Sequence, residues 1–318
     1  MNAIEAMQAE IEYQVQDLHK LDLSSPVSNC LFVGSGDSYI AGLAAQYFSG
    51  SRAICCSPID IIKNPLLVKR RNLFVVSISG NTQANILAAK IAKKHGVGTI
   101  SALTARSSSR LAKSCDQTIE LKYKNTGITT AGTISFTASM IKCISLSTEL
   151  QLPSNLRKMY NRAENQAKQA ISKIDDKSNS SSRTSYFILG NSQLHAIAMY
   201  GALKFNEVFG AKAMAYPTEE FCHSPLFSIK ETDQAIVLGG EEDHDDDDNS
   251  SKLSKRLNEE GFASVHVGFK PTGIELLLQA TFFIQLFVLK LAQKCSLTSC
   301  YFLRNEKLLR VSSDFIYH

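Results

Sequence analysis

Apolar and polar positions along this chain alternate between two periods. Residues 2–20 carry Ile4, Met7, Ile11, Val15 and Leu18 at steps of three and four, the pattern of an amphipathic helix. A short apolar run from Cys30 then stops in the turn Gly34-Ser35-Gly36-Asp37-Ser38 and passes into a helical pattern. Residues 53–62 read as a shorter strand. The run LFVVSISGNT (73–82) is followed by ANILAAKIAKKHG, again strand, turn and helix, and further strands are predicted at 98–103 and 117–121. A helical region, 134–150, closes this half. Residues 154–177 read as a charged, mostly exposed helix, and 178–183 as a polar Ser/Asn loop at a domain boundary. Strands that alternate with helices imply parallel sheets covered on both faces.

The second half repeats the plan. SYFILGNSQLHAIAMYGALKF echoes CLFVGSGDSYIAGLAAQYF, and a long apolar stretch at 274–292 follows as before, so a tandem duplication is expected. The expected divisions are a leading helix (1–24), a first domain (25–150), a linker helix and Ser-rich loop (151–183), a second domain (184–300) and a tail (301–318).

Composition narrows the class. The 318 residues are 44% hydrophobic and 20% charged, with a net charge of +4, which describes a globular chain with no electrostatic case for nucleic acid. Eight cysteines lack CxxC or zinc spacing, which suits a reducing cytoplasm, and no signal peptide is evident. Glu275, Gln279, Gln285 and Lys290 within 274–292 argue against a membrane span and for a buried or interface helix.

The candidate chemistry begins at 77–82. A buried strand that runs into a small, hydroxyl-rich turn at a helix N-terminus makes an anion site, where free N–H groups and the positive end of the helix dipole meet. Ser77, Ser79 and Thr82 would add hydroxyls, and Gly80 would let the backbone approach closely. No GxxxxGK[ST] is present, so the turn is not a nucleotide P-loop. A plain turn with a helix cap reads equally well from these residues. In the second half the corresponding run is Glu241-Glu242-Asp243-His244-Asp245-Asp246-Asp247-Asp248, which would repel a phosphate, so one anion site is expected, in the first half. Consecutive aspartates without ligand spacing read as a solvated loop, and no metal site is expected.

In the second half Lys204 and Glu207 share one helical face, and His223 lies in TEEFCHSP beyond Pro217. A carboxylate and a histidine can divide proton work, one removing and one delivering. A surface ion pair and a histidine satisfied by backbone explain the same residues.

The order GSGDS, SISGNT, GALKFNE, EFCHSP resembles a double sugar-isomerase (SIS) domain protein, in particular the isomerase half of glucosamine-6-phosphate synthase and its free-standing relatives. The resemblance covers nearly the whole chain, and AMQAEI is similar to the family's leading helix. It implies an α/β fold of two tandem SIS domains, each a flavodoxin-like parallel sheet with helices on both faces. It also implies a phosphosugar ligand held by Ser38, Ser77, Ser79 and Thr82 with Gly36, Gly80 and Asn81. Glu207 matches the base that moves a proton between C1 and C2 of an open-chain sugar. Lys204 matches a lysine beside the base, and His223 the ring-opening residue, donated by the neighbouring subunit of a homodimer. No cofactor is implied. Two departures qualify the match: Ile134 stands where the synthase loop has a lysine, and Lys307 fits only loosely the tail lysine that engages the ketose. The sequence contains no glutaminase segment, and position 2 is asparagine where a glutaminase would have cysteine, so complete glutamine-dependent synthesis is not expected. The expected activity is isomerisation of a hexose 6-phosphate or amino-hexose 6-phosphate, as in a glucosamine-6-phosphate deaminase or isomerase. The alternatives are a phosphoglucose/phosphomannose isomerase and a non-catalytic phosphosugar sensor.

Overall fold

The computed structural model describes residues 1–174, 184–241 and 249–317. The expected loop at 178–183 and the acidic residues 242–248 lie outside the described residues. The chain divides into two compact units, one of Met1–Val15, Thr126–Thr133 and Pro153–Arg304, the other of Gln16–Asn125, Ile134–Leu152 and Asn305–His318.

The leading helix α1 (Ala3–Asp17) belongs to the first of these except for its last two residues. The second contains β1 (Cys30–Val33), α2 (Asp37–Phe48), β2 (Ile54–Cys56), α3 (Pro58–Lys63), β3 (Asn72–Val76), α4 (Gln83–Ala92), β4 (Ile100–Thr104), β5 (Gln117–Glu120) and α5 (Ile134–Ser147). Its strands form one parallel sheet in the order β2-β1-β3-β4-β5, the order of flavodoxin-like folds. β1 and β4 are buried along their whole length and β3 beyond its first residue, because helices cover both faces. Leu31, Val33, Leu73 and Val75 pack with Ile61 of α3 and Ile86 of α4. On the other face Gly42 of α2 lies against Phe32 and Cys55.

The strand expected over 53–62 ends at Cys56. Pro58 then opens α3, and the Asp60 carboxylate accepts hydrogen bonds from the Ser57 N–H and hydroxyl, both at 2.8 Å, so capping chemistry overrides the apolar run Ile59-Ile61-Ile62.

The first unit also contains α6 (Leu156–Lys173), β6 (Ser185–Leu189), α7 (Gln193–Phe209), β7 (Lys212–Tyr216), α8 (Thr218–His223), β8 (Gln234–Gly240), α9 (Ser250–Glu259), β9 (Ala263–Phe269), α10 (Gly273–Lys294) and α11 (Tyr301–Arg304). Its sheet, again parallel, runs β7-β6-β8-β9 among the described residues. Phe187 and Leu189 pack with Phe221 of α8 and Leu257 of α9 on one face. On the other, Gly201 of α7 lies against Ile188 and against Ile284 of α10. α10 is long and apolar enough to cross a membrane by length and composition, but most of its apolar residues, from Leu277 to Ala292, are buried. α6 is exposed except for one stripe, Leu156, Met159, Ala163, Ala167 and Ala170, at helical spacing.

The two sheets share a local device. Gly36 precedes α2 at φ 57, ψ −131, and Ser192 precedes α7 at φ 51, ψ −121. Each follows a glycine, Gly34 or Gly190, where a Cβ would strike the first turn of the helix at under 3 Å. The same strand-to-helix corner is built twice, once with a glycine at positive φ and once with a serine.

Candidate functional site

In the five-stranded sheet, β1 and β3 lie side by side, and their connections leave in opposite directions along the sheet. That switch point is where open α/β sheets bind ligands, outside the carboxyl ends of the strands. Gly36 and Ser38 stand at the end of β1, and Ser77, Ser79, Gly80, Asn81 and Thr82 at the end of β3, so the seven expected phosphate-site residues share one sheet edge.

The 77–82 turn is pinned from several directions. Ser77 N–H donates to Leu103 O at 2.9 Å, Gly80 N–H to Ser77 O at 3.1 Å, and Leu111 N–H to Gly80 O at 2.9 Å. The Thr104 hydroxyl donates to Ile78 O at 3.1 Å, and buried Asn85 donates to Val76 O at 3.2 Å. Gly80 takes φ +62, and a Cβ there would stand 2.1 Å from Ser109 Oγ. Ser77 and Thr82 hydroxyls are 3.5 Å apart, and Ser79 Oγ accepts from Asn81 N–H at 3.3 Å. The turn before α4 is therefore a pinned, hydroxyl-bearing corner at a helix N-terminus, the kind of place where helix N–H groups bind small anions.

The four-stranded sheet is different at the same edge. A cavity of about 480 Å³ opens there beside Asn191, Ser192 and Gly240, and the Glu241–Lys270 ion pair, 3.0 Å, occupies its wall. Of the acidic run expected to repel a phosphate there, Glu241 is the described residue, and its carboxylate is paired with Lys270. Among the described residues no cluster of His, Cys, Asp and Glu has the geometry of a metal site.

Lys204 and Glu207 lie on the last turns of α7. Lys204 Nζ sits 2.6 Å from Glu207 Oε2, with the lysine side chain 2% exposed and the glutamate side chain 35% exposed. The surface-pair reading of these two residues is therefore half wrong: one partner is sealed and only the carboxylate reaches solvent. Lys204 Nζ also lies over the Tyr200 ring, 5.1 Å from its centroid. Beside the pair, the Cys300 thiol is buried and pushed up from its ordinary range, first by desolvation and then by the Glu207 carboxylate, against a backbone hydrogen bond from Ala131 and the Lys204 and Arg304 charges.

His223 ends α8 and is exposed, and its imidazole makes no hydrogen bond among the described residues. α7 and α8 cover opposite faces of the same sheet, so one chain does not bring Glu207 and His223 together. Lys307 is exposed on α12 (Glu306–Tyr317), a helix with no buried residue. Cys222, next to His223, has its thiol pushed up by burial and by Glu219, which disfavours the reactive thiolate.

Sequence reasoning did not anticipate the polar network around α7. Glu10, 5% exposed, accepts from Thr126 N–H (3.2 Å) and from the hydroxyls of Thr126 (3.0 Å), Thr130 (3.1 Å) and Thr133 (2.9 Å). The Tyr200 hydroxyl donates to Gly132 O at 2.7 Å and accepts from Gln285 Nε2 at 3.2 Å. Gln285 also donates to Thr133 O at 3.2 Å and accepts from Gln14 Nε2 at 2.7 Å. The available signal was a glutamine at each of two positions, 14 and 285, on otherwise apolar helix faces.

Comparison with known proteins agrees with this fold. Residues 25–146 match the family model described as SIS domain. A glutamine–fructose-6-phosphate aminotransferase (isomerizing) from Pseudomonas putida is 29% identical over 271 residues, 78% of this chain and 44% of that protein, so this chain spans less than half the length of that relative. Glucosamine-6-phosphate deaminase from Thermotoga maritima superposes with a TM-score of 0.69 at 21% identity, covering 92% of each chain. Tagatose-6-phosphate ketose/aldose isomerase from Escherichia coli gives 0.64 at 17% identity, covering 93% of this chain and 89% of that one. At those identities the two structures speak for the fold. The matched segment contains β1 to β5 and residues 36–38 and 77–82, so residues 25–146 are similar to a SIS domain, and the chain resembles proteins of sugar-phosphate isomerisation.

Proposed function

We propose that this protein is a phosphosugar isomerase that moves a proton between C1 and C2 of a hexose 6-phosphate or amino-hexose 6-phosphate. The observation that carries the reading is the Lys204–Glu207 pair, a carboxylate held by a buried cation and exposed on its other side. In this reading Ser38, Ser77, Ser79 and Thr82 hold the phosphate with the backbone of Gly36, Gly80 and Asn81. Glu207 takes the proton from one carbon of the open-chain sugar and returns it to the adjacent carbon, through an enediol or enediolamine. The electron pair released at one carbon passes to the neighbouring carbonyl oxygen, which takes up a proton; the hydroxyl on the first carbon gives one up and becomes the new carbonyl as the adjacent carbon is protonated, so no oxidant or reductant is consumed. A carboxylate suits this task because one group can both accept and deliver the proton.

His223 opens the sugar ring, supplied by a second copy of the chain in a homodimer. Support comes from α7 and α8 lying on opposite faces of one sheet, which turns His223 away from the Glu207 of its own chain. Lys307 takes part only if α12 presents it to the ligand.

The relatives point to amino-sugar chemistry and to plain ketose–aldose exchange alike, so two reactions fall within the proposal. Purified protein is given fructose 6-phosphate, with and without ammonium, in D2O and followed by NMR. Deuterated glucose 6-phosphate or mannose 6-phosphate marks a plain isomerase, and glucosamine 6-phosphate marks a deaminase running in reverse. Binding of the phosphosugar with no exchange of its C1 or C2 proton would overturn the enzyme and leave a phosphosugar sensor.

A further inference from the structure

Lys204 is withdrawn from water, with 2% of its side chain exposed, and a buried ammonium needs compensation. One source is Glu207 Oε2 at 2.6 Å; another is the face of the Tyr200 ring, 5.1 Å to the centroid, where the ring quadrupole attracts a cation. The ring is held by its own hydroxyl, which donates to Gly132 O at 2.7 Å and accepts from Gln285 Nε2 at 3.2 Å. Gln285 is tied in turn to Thr133 O and Gln14. Tyr200, Gln285 and Gln14 are each at most 1% exposed, so bulk solvent does not compete along the series.

We propose that Tyr200 is a positioning residue for Glu207: it fixes and stabilises the Lys204 ammonium, and through that ammonium keeps the Glu207 carboxylate ionised and correctly placed. The inference rests on Glu207 being the base. Among the described residues, Cys300 and Arg304, from the segment around α11, are further charged or titratable groups beside the pair. The thiol of Cys300 stays neutral because burial pushes it up, and Arg304 is a permanent cation. Residues 131–133 turn backbone carbonyls and an N–H toward this region, while Glu10 is occupied by three threonines of the same loop. Lys204 is a neighbour whose ammonium rests on a replaceable aromatic ring as well as on Glu207.

The test compares the wild type with Tyr200→Phe and Tyr200→Leu. Phenylalanine keeps the ring face under the ammonium; leucine removes it. With 13C-labelled glutamate, and the Glu207 resonance identified by its loss in Glu207→Gln, carboxylate titration is followed directly. Glu207 is expected to titrate about one pH unit higher in Tyr200→Leu, a tenfold change in proton affinity, and close to the wild type in Tyr200→Phe. In the isomerisation assay the acid limb of kcat/KM should move by the same amount, with phosphosugar affinity unchanged. An unmoved Glu207 titration in Tyr200→Leu overturns the proposal, as does an equal displacement in both variants. If Tyr200→Leu does not fold, Tyr200→Met, which also removes the ring face from the Lys204 ammonium but fills more of its volume, should raise the Glu207 titration, and a wild-type curve overturns the proposal. A wild-type enzyme that fails to isomerise any hexose phosphate sinks the enzymatic reading alone, since the titration stands apart from turnover.

Discussion

Lys204 and Glu207 are one helical turn apart, 2.6 Å between charged atoms, yet the lysine side chain is sealed and the carboxylate is about one-third exposed. An ordinary i, i+3 pair on a helix surface exposes both partners and contributes little. Here the burial is one-sided, and that asymmetry is what a base requires: a fixed counter-charge behind it and an accessible face in front.

Replacing the carboxylate with its isosteric amide separates binding from chemistry. Glu207→Gln should lower turnover by roughly 10²- to 10⁴-fold, the range of a lost general base, while calorimetry with the sugar phosphate returns an unchanged Kd. Lost binding together with lost turnover would assign Glu207 to holding the ligand. Turnover at the wild-type rate would remove it from the mechanism.

The anion corner makes a separate prediction about Gly80. An alanine there must adopt φ +62 and drive its Cβ to 2.1 Å from Ser109 Oγ. The left-handed conformation alone costs about 1–2 kcal/mol, and the clash adds to it, so Gly80→Ala should lower stability in urea by about 2–4 kcal/mol and abolish phosphosugar binding. Adding Ser109→Gly removes the clashing atoms and leaves the backbone strain. The double variant should therefore recover part of the stability, and no recovery would place the damage elsewhere.

Much of this architecture was legible in the residues alone. The alternation of strands and helices predicts both parallel sheets, and the apolar run that stops in SISGNT predicts the end of β3 and the turn into α4, because small hydroxyl residues and a glycine break a strand there. The 53–62 stretch misled because Ile59, Ile61 and Ile62 are apolar at strand-like density, while the deciding residues were Ser57, Pro58 and Asp60. Glu10, Gln14, Tyr200 and Gln285 could not be grouped from the sequence, since the hydrogen bonds that join them to one another and to the 126–133 loop span 68 to 271 residues. The relation of Glu207 to His223 was illegible for the opposite reason: the two are close in the chain and on opposite faces of the sheet.

Glu10 is the anchor of the 126–133 loop. Its carboxylate takes four hydrogen bonds from three threonines while only 5% exposed. Glu10→Gln keeps the shape but replaces one acceptor oxygen with a donor that faces hydroxyls and removes the charge. Bonds to a charged group are worth about 1.5–3 kcal/mol each at most, and the hydroxyls can partly reorient, so a net loss of about 1–3 kcal/mol is expected in chemical denaturation. Because the loop touches Tyr200 through Gly132, the variant should also lower kcat more than it alters phosphosugar Kd.

His195, on the first turn of α7, provides the pH dependence. Burial holds its imidazole below the usual histidine range, against a backbone hydrogen bond with Tyr216 that acts the other way. In the unfolded chain the same group takes up a proton near pH 6.5. The folded state therefore binds fewer protons than the unfolded state just below that pH, and stability rises with pH through this window. Its contribution is complete above about pH 6.5 and is lost as pH falls toward the depressed folded value. Thermal unfolding followed from pH 7.5 to 5 should show a decline that is shallower in His195→Gln, whose side chain does not titrate. An identical decline in the variant would assign the acid sensitivity to other groups.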